Sequence, residues 1–497
     1  MSAAMVQIAP GDSVAVALRD LAAGETVPGP DGCNVELQDD VPRGHKVALT
    51  ALDSGDPVVK YGAVIGHATR PLERGQWVHT HDLATSLSGT VEYRWEPEAH
   101  ELARPAVERT FQGYRRADGR VGTRNELWII PVVGCVNDTA AELAAEAQGL
   151  VGDGLEAVVA FSHPYGCSQM GDDLARTAQV LASLAHHPNA GGVLLLSLGC
   201  ENVTQEMLFE ALGSLDPERV RYLRCQDVED ELAAGLEVLG ELADVARRDR
   251  REAQPLSELV LGLKCGGSDG LSGITANPVI GRVSDAVVAA GGTSLLAEVP
   301  EMFGAEGLLL GRCESREVFD EACDLLNGFK EYFLSHGAVV YENPSPGNKA
   351  GGITTLEDKS CGCVQKGGTA PVSGVVGYGD RVERKGLNLL CSPGNDLVSS
   401  TALSAAGATV VLFSTGRGTP FGAPAPTVKV ASNSALAQKK RGWVDFDAGR
   451  AVSEGLSLDV VADELLDKLV AVASGELTSA ERRGARGLAI WKDGVTL

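Results

Sequence analysis

Short unbroken apolar runs, each followed by a helical pattern, recur through residues 113–497. In order they are LWIIPVV, AVVAF, GVLLLSL, LVLGL, TSLLAEV, GLNLLC and TVVLFS, with TVKVAS a weaker run. Around them TAAELAAEAQGL, DDLARTAQVLASLA, DELAAGLEVLGELADVA, VIGRVSDAVVAA, SREVFDEACDLLNGFKEYFLS and LDVVADELLDKLVAVAS carry apolar residues at helical spacing. Strand and helix in turn at these lengths predict βαβ units around mostly parallel sheets. Residues 1–97 have another rhythm. There SVAVAL, KVALTAL and TVEYRW are separated by the turn signals PGPDG, DSGDP and LERGQ, which predicts a small all-β module.

The charged, proline-bearing stretch 95–110 and the arginine-rich run 246–255 read as linkers. They divide the chain into units at 1–97, 105–250 and 255–497, an α/β protein with a β module at its front. The stretch 342–363, ENPSPGNKAGGITTLEDKSCGC, has little periodicity and is expected to be a long functional loop.

Composition narrows the function. No apolar run is long enough to span a bilayer and the first residues lack a signal-peptide pattern, so a cytoplasmic location is expected. A net charge of −24 argues against nucleic acid or a membrane surface as a partner. A small anionic substrate would then need a local cluster of cations. Eleven cysteines without an export signal read as reduced thiols, buried or metal-binding.

Those thiols are placed unusually. Cys135, Cys167, Cys200 and Cys265 each follow an apolar run into a polar loop, and Cys363 lies in KSCGC. Carboxyl ends of parallel strands line one crevice, so these thiols are expected to meet there around a soft or borderline metal, with His163 and Glu201 as harder ligands. None has the C-x-x-C spacing of structural zinc. Cys225, Cys313, Cys323 and Cys391 read as core. Arg120, Arg124, Lys349, Lys359, Lys366 and Arg417 sit in or beside glycine-rich loops and predict an anion site. Ser268, Asp269 and Asn348 lie in the same loops. His45, in the turn-like GHK, is expected to be presented rather than packed, and His79 and His81 to share one side of a strand. A phosphate-binding P-loop, a dinucleotide fingerprint and a G-x-S-x-G elbow are all absent.

Longer strings carry a resemblance. SVAVALRDLAAG, GHKVALT, GRVGTRNELWIIPVVGCVN, HPYGCSQMGDD, HPNAGGVLLLSLGCEN, LKCGGSDGLSGITANP, AEVPEMFGAE, ENPSPGNKAGGITTLEDKS, SPGND, LFSTGRGTP and WVDFDAG are similar to the altronate and galactarate dehydratase family over almost the whole length. The front module resembles the β-clip SAF domain. The resemblance implies loss of water from a sugar acid, D-altronate, giving 2-keto-3-deoxy-D-gluconate in hexuronate breakdown, assisted by Fe2+ or Mn2+. Galactarate dehydration is the nearest other activity it implies. On that reading Cys167, Cys200, Cys265, Cys363, His163 and Glu201 surround the metal. Lys349, Lys359 and Arg417 grip the carboxylate, helped by Arg120, Arg124, Ser268, Asp269 and Asn348. His45 with Lys46 closes the site or takes the C2 proton; His163 and a lysine are the other bases considered. An iron–sulfur cluster in place of a single ion is left open, as are homo-oligomer assembly, a regulatory or carbohydrate-binding role for the module, and a metal-storage role for the thiols.

Overall fold

The computed structural model describes residues 3–30, 32–97 and 108–497. Most of the expected linker 95–110 therefore lies outside the described residues. The front module is built from short strands. Met5–Val6, Val14–Ala17, Lys46–Ala48 and Trp77–Val78 form one antiparallel sheet, and Pro57–Lys60, Ala63–Ala68 and Leu83–Ala84 another. Their inward faces close two small apolar cores around Val35, Val47 and Leu21 and around Val58, Ile65 and Val78. TVEYRW, expected as a strand, pairs with no other strand; Val91 instead exchanges main-chain hydrogen bonds with the Asn327 side chain.

A four-stranded parallel sheet follows, ordered Ala157–Ala160, Glu126–Pro131, Ala190–Ser197, Val220–Arg224. Glu126–Pro131 and Ala190–Ser197 are buried throughout, which explains why their sequences run apolar without alternation. Helices Asn137–Glu146 and Glu231–Ala246 cover one face, Gly171–Ala185 the other. The arginine-rich run 246–255 is more than a linker. Its end, Glu252–Pro255, pairs antiparallel with Thr110–Arg115.

The last sheet has seven parallel strands, ordered Val372–Val376, Gly386–Leu390, Thr293–Leu296, Val260–Cys265, Val410–Thr415, Thr427–Ala431, Phe446–Asp447. TVKVAS is thus a full member. The chain leaves Val260–Cys265 toward Thr293–Leu296 and later returns on its other side as Val410–Thr415. That reversal opens a crevice at the carboxyl ends, just where Cys265 ends its strand. The expected loop 342–363 contains two helices, Pro346–Ala350 and Leu356–Cys363. Every residue of the second is buried, so it has no polar face to print a period on the sequence. No helix among the described residues is long and apolar enough to cross a membrane.

Candidate active site

The crevice of the seven-stranded sheet gathers three groups. Cys265 Sγ donates to Glu301 Oε2 at 3.1 Å, Cys363 Sγ donates to the same oxygen at 3.0 Å, and the two sulfurs are 3.5 Å apart. Cys265 ends its strand, Glu301 follows the neighbouring strand Thr293–Leu296, and Cys363 ends the buried helix. Thr355 starts that helix by accepting from the Asp358 N–H at 3.2 Å. Lys359 and Cys363, four residues apart, then share a face. Asp358, about 100° around the helix, looks the other way, toward the front module.

Charge converges on the thiols. Lys359 Nζ lies 2.8 Å from Glu301 Oε1 and donates to Asn343 Oδ1 at 3.1 Å. Lys366 pairs with Glu298 at 3.1 Å, and Lys264 pairs with Glu298 and, at 3.0 Å, with Asp396. Burial disfavours charge on Glu301, but Lys359, Lys366 and Lys264 overcome it and hold the carboxyl well below its ordinary range. Burial likewise works against Lys359 and Lys366, yet the surrounding acids and thiols keep both raised and cationic. The hydrogen bond to Cys265, then burial, pushes the Cys363 thiol up. Glu298 occupies the left-handed region at φ 72°. Such a backbone costs roughly 1–2 kcal/mol. It is held because its carboxylate takes the Cys265 N–H at 2.9 Å as well as both lysines.

The front module forms one wall. Lys46 and Lys60 reach Asp358 at 2.8 and 2.9 Å, with all three side chains buried. Lys46 also donates to Gly352 O at 2.7 Å, and Thr85 Oγ1 and the Ser86 N–H donate to Glu357, each at 2.8 Å. Backbone meets backbone beside them: a Cβ on Gly270 would lie 1.9 Å from Gly44 O, so only glycine fits that seam. Lys60, Tyr61, Ser268, Asp269, Lys359 and Cys363 line a common cavity of about 10 Å³, room for about one water. Ser268 Oγ is buried there without a hydrogen-bond partner among the described residues.

Several expected site residues are placed elsewhere. His163 is buried in the second sheet's loops, with Nε2 on Pro131 O at 2.6 Å and Nδ1 accepting from the Tyr165 N–H at 3.2 Å. Burial brings its pKa down to about 4, and neither nitrogen faces the thiols of the crevice. Cys167 and Cys200 are exposed and belong to that other sheet. Among the described residues, only Cys265, Glu301 and Cys363 bring three such ligand atoms within 4.8 Å of one another. Glu201 spends its oxygens on its own turn, accepting from Ser197 Oγ and from the Gly199 N–H at 2.7 Å. Arg124 is a buried staple to Glu481 at 2.8 Å and to the carbonyls of Thr123, Val472 and Glu476. Arg120 pairs with Asp118 and borders a cleft of about 430 Å³ at the amino ends of the strands and away from the crevice thiols.

His45 accepts from Trp77 Nε1 at 3.2 Å and is also hydrogen-bonded to the Ala350 main chain. His79 and His81 pack about the Trp77 ring, past the end of its strand. Burial brings Lys46 down to about 8, but its ammonium is committed to the seam. Asn348 orders the loops by donating to Ser268 O at 2.8 Å, and Asp269 accepts from Ser272, Ser432 and Asn433. Lys349 and Arg417 are exposed at the rim, Arg417 reaching Gly347 O at 3.4 Å. Glu298, Glu301 and Lys264 were missed. The strand-end rule applied to the cysteines also holds for the acids of AEVPEM and for Lys264 beside Cys265.

Two thiols and a carboxylate ringed by lysines, at the switch point of a parallel sheet and walled by a β module, define an α/β enzyme site built for an anionic substrate. Comparison with known proteins agrees. Residues 3–86 match the altronate/galactarate dehydratase SAF domain, 113–247 the D-galactarate dehydratase/altronate hydrolase second domain, and 256–496 the D-galactarate/altronate dehydratase C-terminal domain. The chain is 52% identical to an altronate dehydratase of Escherichia coli over 98% of each chain, and 49% identical to one of Bacillus subtilis over 99% of each. A galactarate dehydratase (L-threo-forming) of Escherichia coli is 32% identical over 94% of this chain and 92% of its own. The chain belongs to the altronate/galactarate dehydratase family and is a hydro-lyase.

Proposed function

We propose that the chain dehydrates D-altronate to 2-keto-3-deoxy-D-gluconate in hexuronate breakdown, and that Cys265, Cys363 and Glu301 hold a divalent iron or manganese ion. The observation that carries this is the trio itself. Its two sulfurs and Glu301 Oε2 are mutually 3.0–3.5 Å apart, within the span of donors on one ion, while Glu301 Oε1 is separately occupied by Lys359. Thiolates favour iron over a harder ion. When bound, the metal would supply Lewis-acid polarisation of the sugar acid's oxygens.

The chain's own residues supply the rest. Taking the C2 proton builds a second negative charge next to the substrate carboxylate, and Lys359, held cationic in the cavity, offsets it. Ser268 Oγ, free of other partners among the described residues, is available to a substrate oxygen. Lys60 and Tyr61 bring the front module to the same cavity, which makes the module part of the site. A cavity of about 10 Å³ is far too small for a sugar acid, so substrate entry moves the module seam outward and reclosure excludes water.

Aldonates and aldarates, assayed with and without Fe2+ for a 2-keto-3-deoxy acid, test the proposal. Iron-dependent keto acid from altronate is expected. Faster turnover of galactarate, or equal turnover after exhaustive chelation, refutes it.

A further inference from the structure

Three Gly-Cys pairs, Gly134–Cys135, Gly166–Cys167 and Gly199–Cys200, follow three adjacent strands of the four-stranded sheet. The chain runs from Glu126–Pro131 to Ala157–Ala160 on one side and then to Ala190–Ser197 on the other, so these thiols mark this sheet's own switch point. All three are exposed, whereas a free cysteine without a chemical role is usually buried. Each is followed two residues on by an amide side chain; Asn137 and Asn202 tie neighbouring loops together, and Gln169 braces its own loop. Asn137 exchanges hydrogen bonds of 2.9 and 3.2 Å with the His163 main chain, Gln169 accepts from the Gly166 N–H at 2.9 Å, and Asn202 accepts from the Ser168 N–H at 2.7 Å. Main-chain bonds Gly134 N–H to Tyr165 O and Val203 N–H to Gly166 O, at 2.9 and 3.0 Å, complete the lacing. Gly166, at φ 97°, presses so close that a Cβ would lie 2.1 Å from Val132 O. The loops are fixed while, among the described residues, Cys167 and Cys200 make only side-chain hydrogen-bond contacts of 3.9 Å, to Ser168 Oγ and Gln226 Nε2.

We propose that Cys135, Cys167 and Cys200 hold an iron–sulfur cluster, at a site separate from Cys265, Glu301 and Cys363. Three soft ligands from three strand ends suit iron, and their spread decides its form. Three thiolates on one tetrahedral ion sit roughly 3.8 Å apart, from metal–sulfur bonds of about 2.3 Å. These three sulfurs do not all fall within 4.8 Å of one another. A cluster distributes its thiolates over several irons and spans the wider triangle. On binding, each S–H proton leaves to solvent and an Fe–S bond replaces it, with no redox change in the protein. One iron of a four-iron cluster is then left without a cysteine and faces solvent.

The test uses the full chain, purified without oxygen and reconstituted with iron, sulfide and a dithiol. Expected are equal amounts of iron and acid-labile sulfide beyond any single ion, a visible charge-transfer band bleached by dithionite, and a matching native-mass increment. Cys135→Ser, Cys167→Ser and Cys200→Ser should each cut bound sulfide at least tenfold with unchanged far-ultraviolet circular dichroism, and Cys265→Ser should keep it. Uptake of iron without sulfide by the unaltered chain overturns the proposal whatever the variants do. So does full sulfide in all three variants, or its loss in Cys265→Ser alone. None of these readouts depends on dehydratase turnover, so this site and the proposed altronate activity stand or fall separately.

Discussion

Replacing Asp358 with alanine would leave two buried ammonium groups, Lys46 and Lys60, facing each other without a counter-charge. Removing one partner of a buried ion pair typically costs about 3–5 kcal/mol. Here one carboxylate serves two lysines and also accepts from the Thr354 N–H and Oγ1, each at 3.0 Å, which places the loss toward the upper end. At about 4 kcal/mol the closed-to-open ratio of the seam falls by roughly a thousandfold. Because Lys60 and Lys359 line the same cavity, turnover should fall with it. Denaturant unfolding read against initial rates measures both. The triple variant Lys46→Met, Lys60→Met, Asp358→Leu is the control, since apolar replacement of a whole buried pair is often neutral or stabilising; it should recover most of the stability. An Asp358→Ala chain within about 0.5 kcal/mol of the original, the range of ordinary surface changes, would show that this ion cluster does not hold the seam.

Gly270→Ala should produce the same opening by another route, since its Cβ meets Gly44 main chain rather than a flexible side chain; an unchanged KM and kcat would contradict it. Cys265→Ser, Cys363→Ser and Glu301→Gln should each lower kcat/KM at least a hundredfold and weaken iron retention measured by elemental analysis. Arg124→Ala should cost about 3–5 kcal/mol in a urea melt while leaving the KM of the folded fraction unchanged, because Arg124 binds Glu481 and carbonyls rather than substrate. Stability should fall as pH drops below about 6.5, where unfolded histidine begins to charge. Burial keeps His163 neutral in the fold down to about 4 and His187 to about 3. The unfolded chain therefore binds more protons across that window, and His163 alone should remove roughly 3 kcal/mol by pH 4. His163→Gln should flatten that acid limb in melts recorded across pH.

The two parallel sheets were legible because strands buried on both faces print unbroken apolar runs, as GVLLLSL and TVVLFS do. The helix Leu356–Cys363 was not, because total burial erases the polar stripe that periodicity needs. Cys135, Cys167, Cys200 and Cys265 do lie at strand ends or just beyond them, whereas Cys363 ends a helix, and sequence could not show that the five divide between two sheets. Nor could it show that the imidazole of HPYGC is consumed by backbone groups, Pro131 O and Tyr165 N–H. Acids rather than histidine complete the crevice, and Glu301 sits in a short turn after Thr293–Leu296, the next strand in the chain and the one paired beside that of Cys265.

The union of the front module with the rest rests on side chains and main chain meeting across a surface, with Lys46, Lys60, Tyr61 and Thr85 on one side and Gly352, Glu357 and Asp358 on the other. Joining two such surfaces in one chain raises their effective concentration. A chain severed between residues 97 and 108, its halves made together, should therefore reassemble into one working catalyst at sufficient concentration, with activity that fades on dilution.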